Sequence, residues 1–564
     1  MASEKQQQQD DDKRTIPLKI LVDKQRNKVI FVESTKEFVD TLFSFLSLPL
    51  GTIVRLLSTK NNNNDKQSSD SFPFLDSIQN LYQSVQNLNS DHIWNNPVCK
   101  QMLLHPKNPC ESLCMKLFLN IDDTEPSNKI FVCDSCKKFT TFQNLNCTCG
   151  KPTRQPQNPN SEGDQESSTN VDDQSGVFVR DDGLMFMVFD DLKIVPSSLV
   201  TSMQLLIELG YPDLTQLEEI RRNIGKQEIL NLLKYTLTSH EPLTNTLLAS
   251  SSKNKDNPPN QSASTFKASP CTSTTSKMDI KVVQSKSKKK IIIAEANGDF
   301  VNFIFSFLTM PLGSIVNLFY GNSLTGCVGN LYKSVEKLDS SLCTDSHSVL
   351  LNPGIAPQFG CPNQPLNIPH VEDPTYYYGT ARLSLNVGHY YIIEEKIGGG
   401  VISKTKGSIY DAKLLTALDP KSPNRLKEGV VGFVKRATLF SVGDDLKVKP
   451  LSANSCFSYL KELRLSLDDI EVKVISIGEA EVRWLLSTLK VSMSFYFETE
   501  LHILNLSFYL FFKLLIAFTF VVQALSLLAA SLTSKFTLTD GLGDHLNVPN
   551  QESTSLKVPK QEPT

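Results

Sequence analysis

Two closely spaced cysteine pairs are the residues in this sequence best suited to chemistry. Cys133 and Cys136 have the spacing CxxC, and Cys147 and Cys149 follow about ten residues later with the spacing CxC. Two such pairs on two tight turns can supply four thiolates to a tetrahedral Zn²⁺ ion. The spacing therefore predicts a zinc site at these four residues. We expect its role to be structural, because four protein ligands leave no open position for a substrate.

Other interpretations of the cysteine cluster stay open at the level of sequence. The CxC pair is shorter than the usual CxxC, so free thiols or redox use are alternatives, and Cys110 and Cys114 lie upstream as replacement ligands. Nucleic-acid binding is disfavoured by the net charge of -3, which does not suit a surface that follows phosphates. Three aromatic residues beside the cluster are expected to form its small core: Phe131, Phe139 and Phe142.

The acidic pairs Asp190-Asp191 and Asp444-Asp445 could suggest acid–base chemistry or metal binding. Adjacent residues of a strand point to opposite faces, so the two carboxylates of a pair would not converge. A turn after a strand is the favoured interpretation. No convergent set of catalytic residues is found, and whether the protein is an enzyme stays open, with a noncatalytic role favoured.

The elements that carry these residues occur twice in the chain. Residues 19–57 and 281–319 align without a gap, and both contain an FSFL segment followed by Pro49-Leu50-Gly51 or Pro311-Leu312-Gly313. The match continues in the acidic pairs and in three later blocks, which are Asn80–Tyr82 with Asn330–Tyr332, Leu192-Lys193 with Leu446-Lys447, and Ile224-Gly225 with Ile477-Gly478. The basic run 286–290 aligns with 24–28, and both are predicted to be hairpin turns.

The repeat and the polar linkers divide the chain into predicted segments. They are a disordered N-terminus at 1–15, the first copy at 16–150 with the cysteine cluster, a linker at 151–175, the rest of the first copy at 176–249, a second linker at 250–278, the second copy at 279–545, and a disordered tail at 546–564. An apolar insertion is predicted within the second copy at about 487–526.

Hydrophobic periodicity predicts an α+β fold built as a duplicated module of short β-hairpins and amphipathic helices, with a zinc-ribbon-like insert in the first copy. A hairpin is predicted at 19–33, followed by a helix that Pro49 breaks and by a short helix from Gly51. Residues 75–88 are predicted to be an amphipathic helix. Residues 183–195 are predicted to be a strand, and 197–209 and 214–237 helices.

These residues also carry a resemblance to a known family. The block from Val22 to Leu57, with its VDKxxNKVxFxE start and its LFSFLxLPLGTIV centre, resembles a plant-specific family known as domain of unknown function 674. The later blocks FMVFDDLKIVP and VGDDLKVKP are similar to the same family. The resemblance implies one module or two in tandem. It implies no activity, because none is established for the family.

The segment 503–530 is the strongest membrane candidate in the sequence, because its only charged residue is Lys513. The repeat offers another interpretation. The second copy reaches Leu485-Leu486, which match Leu232-Leu233, and then resumes at Leu527-Leu528, so about forty residues interrupt one predicted helix. The insertion can thus be a retained intron, a membrane helix or a buried core helix.

The composition and the N-terminal sequence lead to expectations about domain number, cellular compartment and function. The chain has 564 residues, of which 40% are hydrophobic and 21% charged, as in globular proteins of two to four domains. The polar N-terminus lacks an apolar signal segment, so we expect a cytoplasmic protein with reduced cysteines, or a membrane protein if 503–530 is translated. The favoured function is a noncatalytic interaction module with protein partners; the alternatives are a membrane-anchored form of that module and an enzyme of unknown chemistry.

Overall fold

The computed structural model describes most of the chain. The described residues are 14–58, 76–89, 92–124, 129–133, 135–155, 176–180, 183–211, 214–248, 278–319, 326–361, 366, 368–381, 383–387, 390–394, 400–404, 406, 409–421, 432–477 and 523–546. We call residues 14–248 the first half and residues 278–546 the second half.

Eighteen strands are assigned within the described residues. They are β1 (Ile16–Asp23), β2 (Lys28–Ser34), β3 (Phe131–Val132), β4 (Lys138–Thr140), β5 (Phe186–Phe189), β6 (Ile194–Pro196), β7 (Leu217–Ile224), β8 (Met278–Ser285), β9 (Lys290–Asn297), β10 (Tyr377–Ala381), β11 (Leu383–Val387), β12 (Tyr390–Glu394), β13 (Gly400–Ser403), β14 (Ile409–Leu414), β15 (Thr416–Ala417), β16 (Leu439–Gly443), β17 (Val448–Pro450) and β18 (Ile470–Ile477).

The α-helices lie between these strands and after the last of them. They are α1 (Lys36–Ser44), α2 (Leu50–Ser58), α3 (Asp76–Asn87), α4 (Val98–Leu104), α5 (Glu111–Cys114), α6 (Leu199–Glu208), α7 (Lys226–Thr238), α8 (Pro242–Leu247), α9 (Gly298–Ser306), α10 (Leu312–Leu318), α11 (Gly326–Lys337), α12 (Ala453–Glu462), α13 (523–533) and α14 (Thr537–Leu546). The fold is α+β, as the hydrophobic pattern predicts.

Each half contains a five-stranded antiparallel sheet. The order is β6-β5-β2-β1-β7 in the first half and β17-β16-β9-β8-β18 in the second. The hairpin predicted at 19–33 is confirmed as β1 and β2, and 286–289 of the basic run form the turn between β8 and β9, while Lys290 begins β9. In both hairpins one turn residue has a left-handed backbone, Asn27 with φ 49° and Lys289 with φ 50°.

The two halves meet where the Pro-Leu-Gly segments face each other. The backbone N–H of Leu50 donates to the carbonyl of Met310, and the N–H of Leu312 donates to the carbonyl of Leu48, each over 3.0 Å. The helix predicted before Pro49 and the one predicted after it are confirmed as α1 and α2. Buried side chains of both halves then form one continuous hydrophobic core around this junction.

Each half also gives one helix to the other half. The amide of Asn80 in α3 donates to the carbonyl of Asp445, and the amide of Asn330 in α11 donates to the carbonyl of Asp191, each over 3.1 Å. One turn further along these helices, the hydroxyls of Ser84 and Ser334 accept from main-chain N–H groups of the opposite sheet over 2.9 Å. Helix α3 of the first half therefore contacts the sheet of the second half, and helix α11 of the second half contacts the sheet of the first. We call these two the exchanged helices.

Two predicted elements differ from the structure. The helix predicted over 214–237 is wrong for 217–224, which form the edge strand β7 beside β1. Leu214–Gln216 form one 3-10 turn, and the α-helix begins only after Gly225. The single strand predicted over 183–195 is two short strands, β5 and β6, around a turn in which Leu192 has φ 64°. Pairing with a neighbouring strand outweighs the helical preference of Glu and Arg in β7.

The apolar segment 503–530 is described only from Gln523 onward, and 503–522 lie outside the described residues. Residues 523–533 form α13, in which Leu527 and Leu528 are fully buried in the protein core. Within the part of the chain that the structure describes, no helix combines the length and the apolar character needed to cross a membrane.

Candidate metal centre

Two tight turns present the cysteine pairs. The first follows β3, where the N–H of Cys133 donates to the carbonyl of Lys138 and the N–H of Lys137 donates back to the carbonyl of Cys133, each over 2.9 Å. In the second, the N–H of Gly150 donates to the carbonyl of Cys147 over 2.8 Å. Lys137 and Gly150 close the two turns with φ 54° and φ 84°, and glycine adopts such a conformation without steric cost.

The turns bring all four predicted ligands together. The Sγ atoms of Cys133, Cys136, Cys147 and Cys149 lie within 4.8 Å of one another, and those of Cys133 and Cys149 are 3.6 Å apart. A tetrahedral zinc site with Zn–S bonds of about 2.3 Å has sulfur atoms about 3.8 Å apart. The cluster therefore has the dimensions of a four-thiolate metal site.

The cluster is buried on one side and open on the other. Cys133 and Cys147 are buried, whereas Cys136 and Cys149 are exposed. An ion could thus reach the site from solvent through the exposed pair. Two amines lie at this rim and donate to neighbouring hydroxyls, that of Lys138 to Thr148 over 3.2 Å and that of Lys151 to Ser135 over 2.7 Å.

The thiols influence one another's ionisation. The N–H of Lys151 and the neighbouring thiols lower the pKa of Cys149 to about 7. The hydrogen bond with Cys149 raises the pKa of Cys136 to about 12, and burial raises the pKa of Cys133. One negative charge can thus be shared within the cluster, but four thiolates at this separation need a cation among them.

The cysteine turns rest on the second half of the chain. Strand β15 pairs in parallel with β4, and the N–H of Leu418 donates to the carbonyl of Phe139 over 2.7 Å. The side chain of Leu418 packs in one buried cluster with Cys133, Leu145 and Cys147. The site is therefore built by residues far apart in the sequence.

Aromatic residues complete this contact. The ring of Phe139 lies edge-on to Tyr376 at 5.1 Å, and the amine of Lys137 lies 4.2 Å from the ring centre of Tyr378. Phe139 is buried with Val132 and Leu415 in a small cluster of its own. The expectation of a small aromatic core is confirmed for Phe139, whereas Phe142 packs against the main core and against the ring of Phe359.

The upstream cysteines are not part of the site. Cys110 and Cys114 are buried in the main core, where the thiol of Cys114 lies 3.6 Å from the hydroxyl of Ser47. Burial raises the pKa of both thiols to about 12, which favours the neutral form over a thiolate ligand. The interpretation of these residues as replacement ligands is therefore wrong for this structure.

The acidic pairs make hydrogen bonds that hold together elements of their own half. The carboxylate of Asp190 accepts from the N–H and the hydroxyl of Thr244, at 2.9 and 2.6 Å, and Asp444 accepts in the same way from Thr539, at 2.8 Å for both contacts. Asp191 lies in the turn and accepts from the N–H of Lys193. The carboxylates of each pair point to different partners, as expected for a turn after a strand.

Sequence reasoning missed the residues of the second half that support the site. Tyr376, Tyr378, Leu415 and Leu418 carry no motif, and they follow the cysteines by more than 200 residues. Residues 376–382 read YYYGTAR and contain no cysteine, so the spacing of the cysteines gives no signal for them.

Comparison with known proteins gives one match. The family model described as Protein of unknown function (DUF674) matches residues 12–480. Neither the curated proteins nor the solved structures include a match to this chain. Because the model covers well over half of the chain, including both five-stranded sheets and the cysteine cluster, the protein belongs to the DUF674 family.

Proposed function

We propose that this protein is a noncatalytic interaction module, built from two copies of one fold, whose first copy is braced by a structural zinc ion. The main support for the zinc site is that four cysteine Sγ atoms lie within 4.8 Å of one another. Soft thiolate ligands in a tetrahedral set favour zinc over harder divalent cations. The same strand order in the two sheets supports the two copies.

The ion would hold the cysteine turns against the second half. Cys133 and Cys147 bind from the buried side, where they already pack against Leu418, and the exposed Cys136 and Cys149 close the site. Strands β3 and β4 have only two and three residues, so few main-chain hydrogen bonds fix this hairpin. Metal ligation then supplies the rigidity that so small a sheet lacks.

An interaction role is supported by two helices that expose apolar side chains. Helices α6 and α12 follow the same hairpin of their respective sheets, and both begin at a serine that caps the helix, Ser198 or Ser452. Neither helix contains a buried residue. Large apolar residues are exposed at matching places, which are Met203 and Phe457, Leu209 and Leu463, and Leu214 and Leu467. Exposed apolar surface of this kind is typical of binding sites for other proteins.

The zinc site is tested by measuring the metal content of the purified full-length protein, prepared under reducing conditions. We expect one zinc per chain in the wild type and a loss of most of it in Cys136→Ser and Cys149→Ser. These two residues are exposed, so serine can replace them without opening a cavity in the core. Cys456→Ser in α12 is the matched control and should keep its zinc.

Two results would contradict the zinc site. One is a wild-type protein without bound metal after purification in the presence of zinc. The other is a metal content that falls equally in Cys136→Ser and in Cys456→Ser, since this would place the metal elsewhere.

The interaction role has a separate test, in which Met203→Glu and Phe457→Glu should lose protein partners that the wild type captures.

A membrane-anchored form of the same module is a second candidate, favoured by the single charged residue, Lys513, within 503–530. Because α13 is part of the core from Gln523 onward, a membrane segment would have to end before it. Comparing the full chain with a variant that lacks 487–522 tests this form. Loss of membrane association on deletion supports it, and unchanged fractionation excludes it.

A further inference from the structure

Strand β7 forms one edge of the first sheet and carries an unusual order of charges. Among the described strands it is hydrogen-bonded to β1 alone. Its eight residues read LEEIRRNI, so two acidic residues precede Ile220 and two basic residues follow it. Half of the main-chain N–H and C=O groups of an edge strand point away from its neighbour and can pair with a further strand.

We propose that two copies of this chain form a dimer through antiparallel pairing of their β7 strands, with the two-fold axis at Ile220. In that register Glu219 faces Arg221 of the partner subunit, and Glu218 faces Arg222 of the partner subunit. Each of these pairs occurs twice by symmetry. Antiparallel pairing thus places every acidic side chain of the edge opposite a basic one, and the two sheets become one sheet of ten strands.

The exposed face of the strand is open to this pairing. The side chains of Glu219 and Arg221 are 54% and 77% exposed, and they form an ion pair of 3.1 Å along their own strand. A partner strand places a second opposite charge beside each of them without breaking that contact. Opposite charges on directly facing residues of neighbouring strands stabilise the pairing, and like charges destabilise it.

Glu218 and Arg222 on the other face also have contacts of their own. The carboxylate of Glu218 lies 3.7 Å from the amine of Lys24, and the guanidinium of Arg222 donates to the carbonyl of Leu247 over 2.5 Å. Changing Arg222 would therefore disturb the contact with α8 as well as any dimer. Glu219 and Arg221 are the better residues for a test.

The corresponding edge of the second half offers fewer opposite charges. Strand β18 is also an edge strand, but it reads IEVKVISI, with Glu471 and Lys473 as its only charged residues. A two-fold axis at the position equivalent to Ile220 would place Lys473 opposite itself. An axis at Val472 would pair Glu471 with Lys473 of the partner subunit, but this gives two opposite-charge pairs, against four at β7, so β7 is the favoured edge.

The test is sedimentation of the full chain over a range of concentrations, in buffer of low ionic strength. The wild type should form dimers. Glu219→Arg and Arg221→Glu each place like charges opposite each other in two symmetric pairs, so we expect the dimer dissociation constant to rise about 10-fold or more. Lys473→Glu on β18 is the control and should leave the dimer unchanged.

Mixing the two charge variants gives the decisive result. A chain with arginine at both positions faces a chain with glutamate at both, so the equimolar mixture should dimerise again although each variant alone does not. The double exchange Glu219→Arg with Arg221→Glu should likewise restore the dimer. A monomeric wild type, single variants that dimerise like the wild type, or a mixture that stays monomeric would each overturn the proposal.

Discussion

Gly313 lies where the two halves meet, and replacing it with alanine measures how tightly they are packed. It is the second residue of α10, directly after Leu312, whose N–H donates to the carbonyl of Leu48. A Cβ atom on Gly313 would lie 2.6 Å from the carbonyl oxygen of Leu350 and 3.0 Å from that of Leu46 in the first half. Because both are main-chain atoms, neither can rotate away, and the helix itself must move.

The size of the effect follows from two opposing contributions. Overpacking of a well-packed core costs about 1–3 kcal/mol, while alanine in a helix gains about 0.5–1 kcal/mol over glycine. We therefore expect Gly313→Ala to lower the free energy of unfolding by about 1–2 kcal/mol. Gly51 faces the second half in the same way, with its Cβ position 3.0 Å from the carbonyl oxygen of Leu308, and Gly51→Ala should cost less.

The matched control is Gly543→Ala in α14. A Cβ atom on Gly543 would have nothing within 4 Å, so this variant should gain about 0.5–1 kcal/mol from the helical preference of alanine alone. The double variant of Gly51 and Gly313 should lose less than the sum of the single losses. A shift that relieves the first clash separates the same two segments and makes room for the second Cβ atom.

Urea unfolding followed by fluorescence measures these effects. Trp94, one of two tryptophans, is buried, and its ring stacks on Phe305 of the second half with 6.2 Å between ring centres, so its share of the emission reports on the junction. Tight packing at Gly313 is contradicted if Gly313→Ala is as stable as the wild type while Gly543→Ala gains stability. Strictly additive losses in the double variant would show that the two glycines do not share one contact surface.

Two further predictions concern the exchanged helices and the buried acids. Ser84→Ala and Ser334→Ala each leave a buried main-chain N–H without its acceptor, so urea unfolding should show a loss of about 1–3 kcal/mol, whereas the exposed Ser458→Ala should change little. Burial raises the pKa of Asp190 and of Asp444 from the ordinary value of 3.8 to about 6, so the folded state binds their protons more tightly than the unfolded state. This stabilisation is complete below about pH 4 and is lost as the pH rises to about 6. Melting temperatures over this range should fall for the wild type relative to Asp190→Asn, and parallel curves would contradict the assignment.

Much of the junction could be predicted from the sequence, because local signals and tertiary structure agree there. Hydrophobic residues at helical spacing and the helix-breaking Pro49 predict α1 and α2, and the structure has both. The agreement fails at β7, where Glu and Arg favour a helix and only the neighbouring β1 makes a strand the better choice. Strand β1 is far from β7 in the sequence, so a local sequence pattern cannot predict that the two strands pair.

The candidate metal centre shows the same division between local and distant information. The spacing of the four cysteines predicts the site because each pair lies on a single turn. The support from Leu418 and Tyr376 depends on how the two halves pack against each other. A local hydrophobic pattern does not predict that contact. The exchange of α3 and α11 is equally hidden, because an apolar helix face has the same pattern whichever half it packs against.

The contacts of the two halves also identify the helix that completes the second half. In the first half the carbonyl of Ser239, after α7, accepts from the thiol of Cys327 over 3.3 Å. In the second half the carbonyl of Ser534, after α13, accepts from the hydroxyl of Ser77 over 2.7 Å. Residues 523–533 therefore take the place of α7, although the 45 residues 478–522 separate them from the end of β18, while α7 follows β7 directly.

This equivalence makes the region after the apolar segment part of the fold rather than a tail. The family match ends at residue 480, before α13 and α14 begin. Yet Thr539 of α14 holds the buried carboxylate of Asp444, and its hydroxyl accepts from the N–H of Ile291 in β9 over 3.0 Å. A chain cut at residue 480 would remove both hydrogen bonds from Thr539 to that carboxylate and would leave that N–H without its acceptor. The second half therefore needs 523–546 to complete the core against its own sheet, whatever the residues before Gln523 contribute.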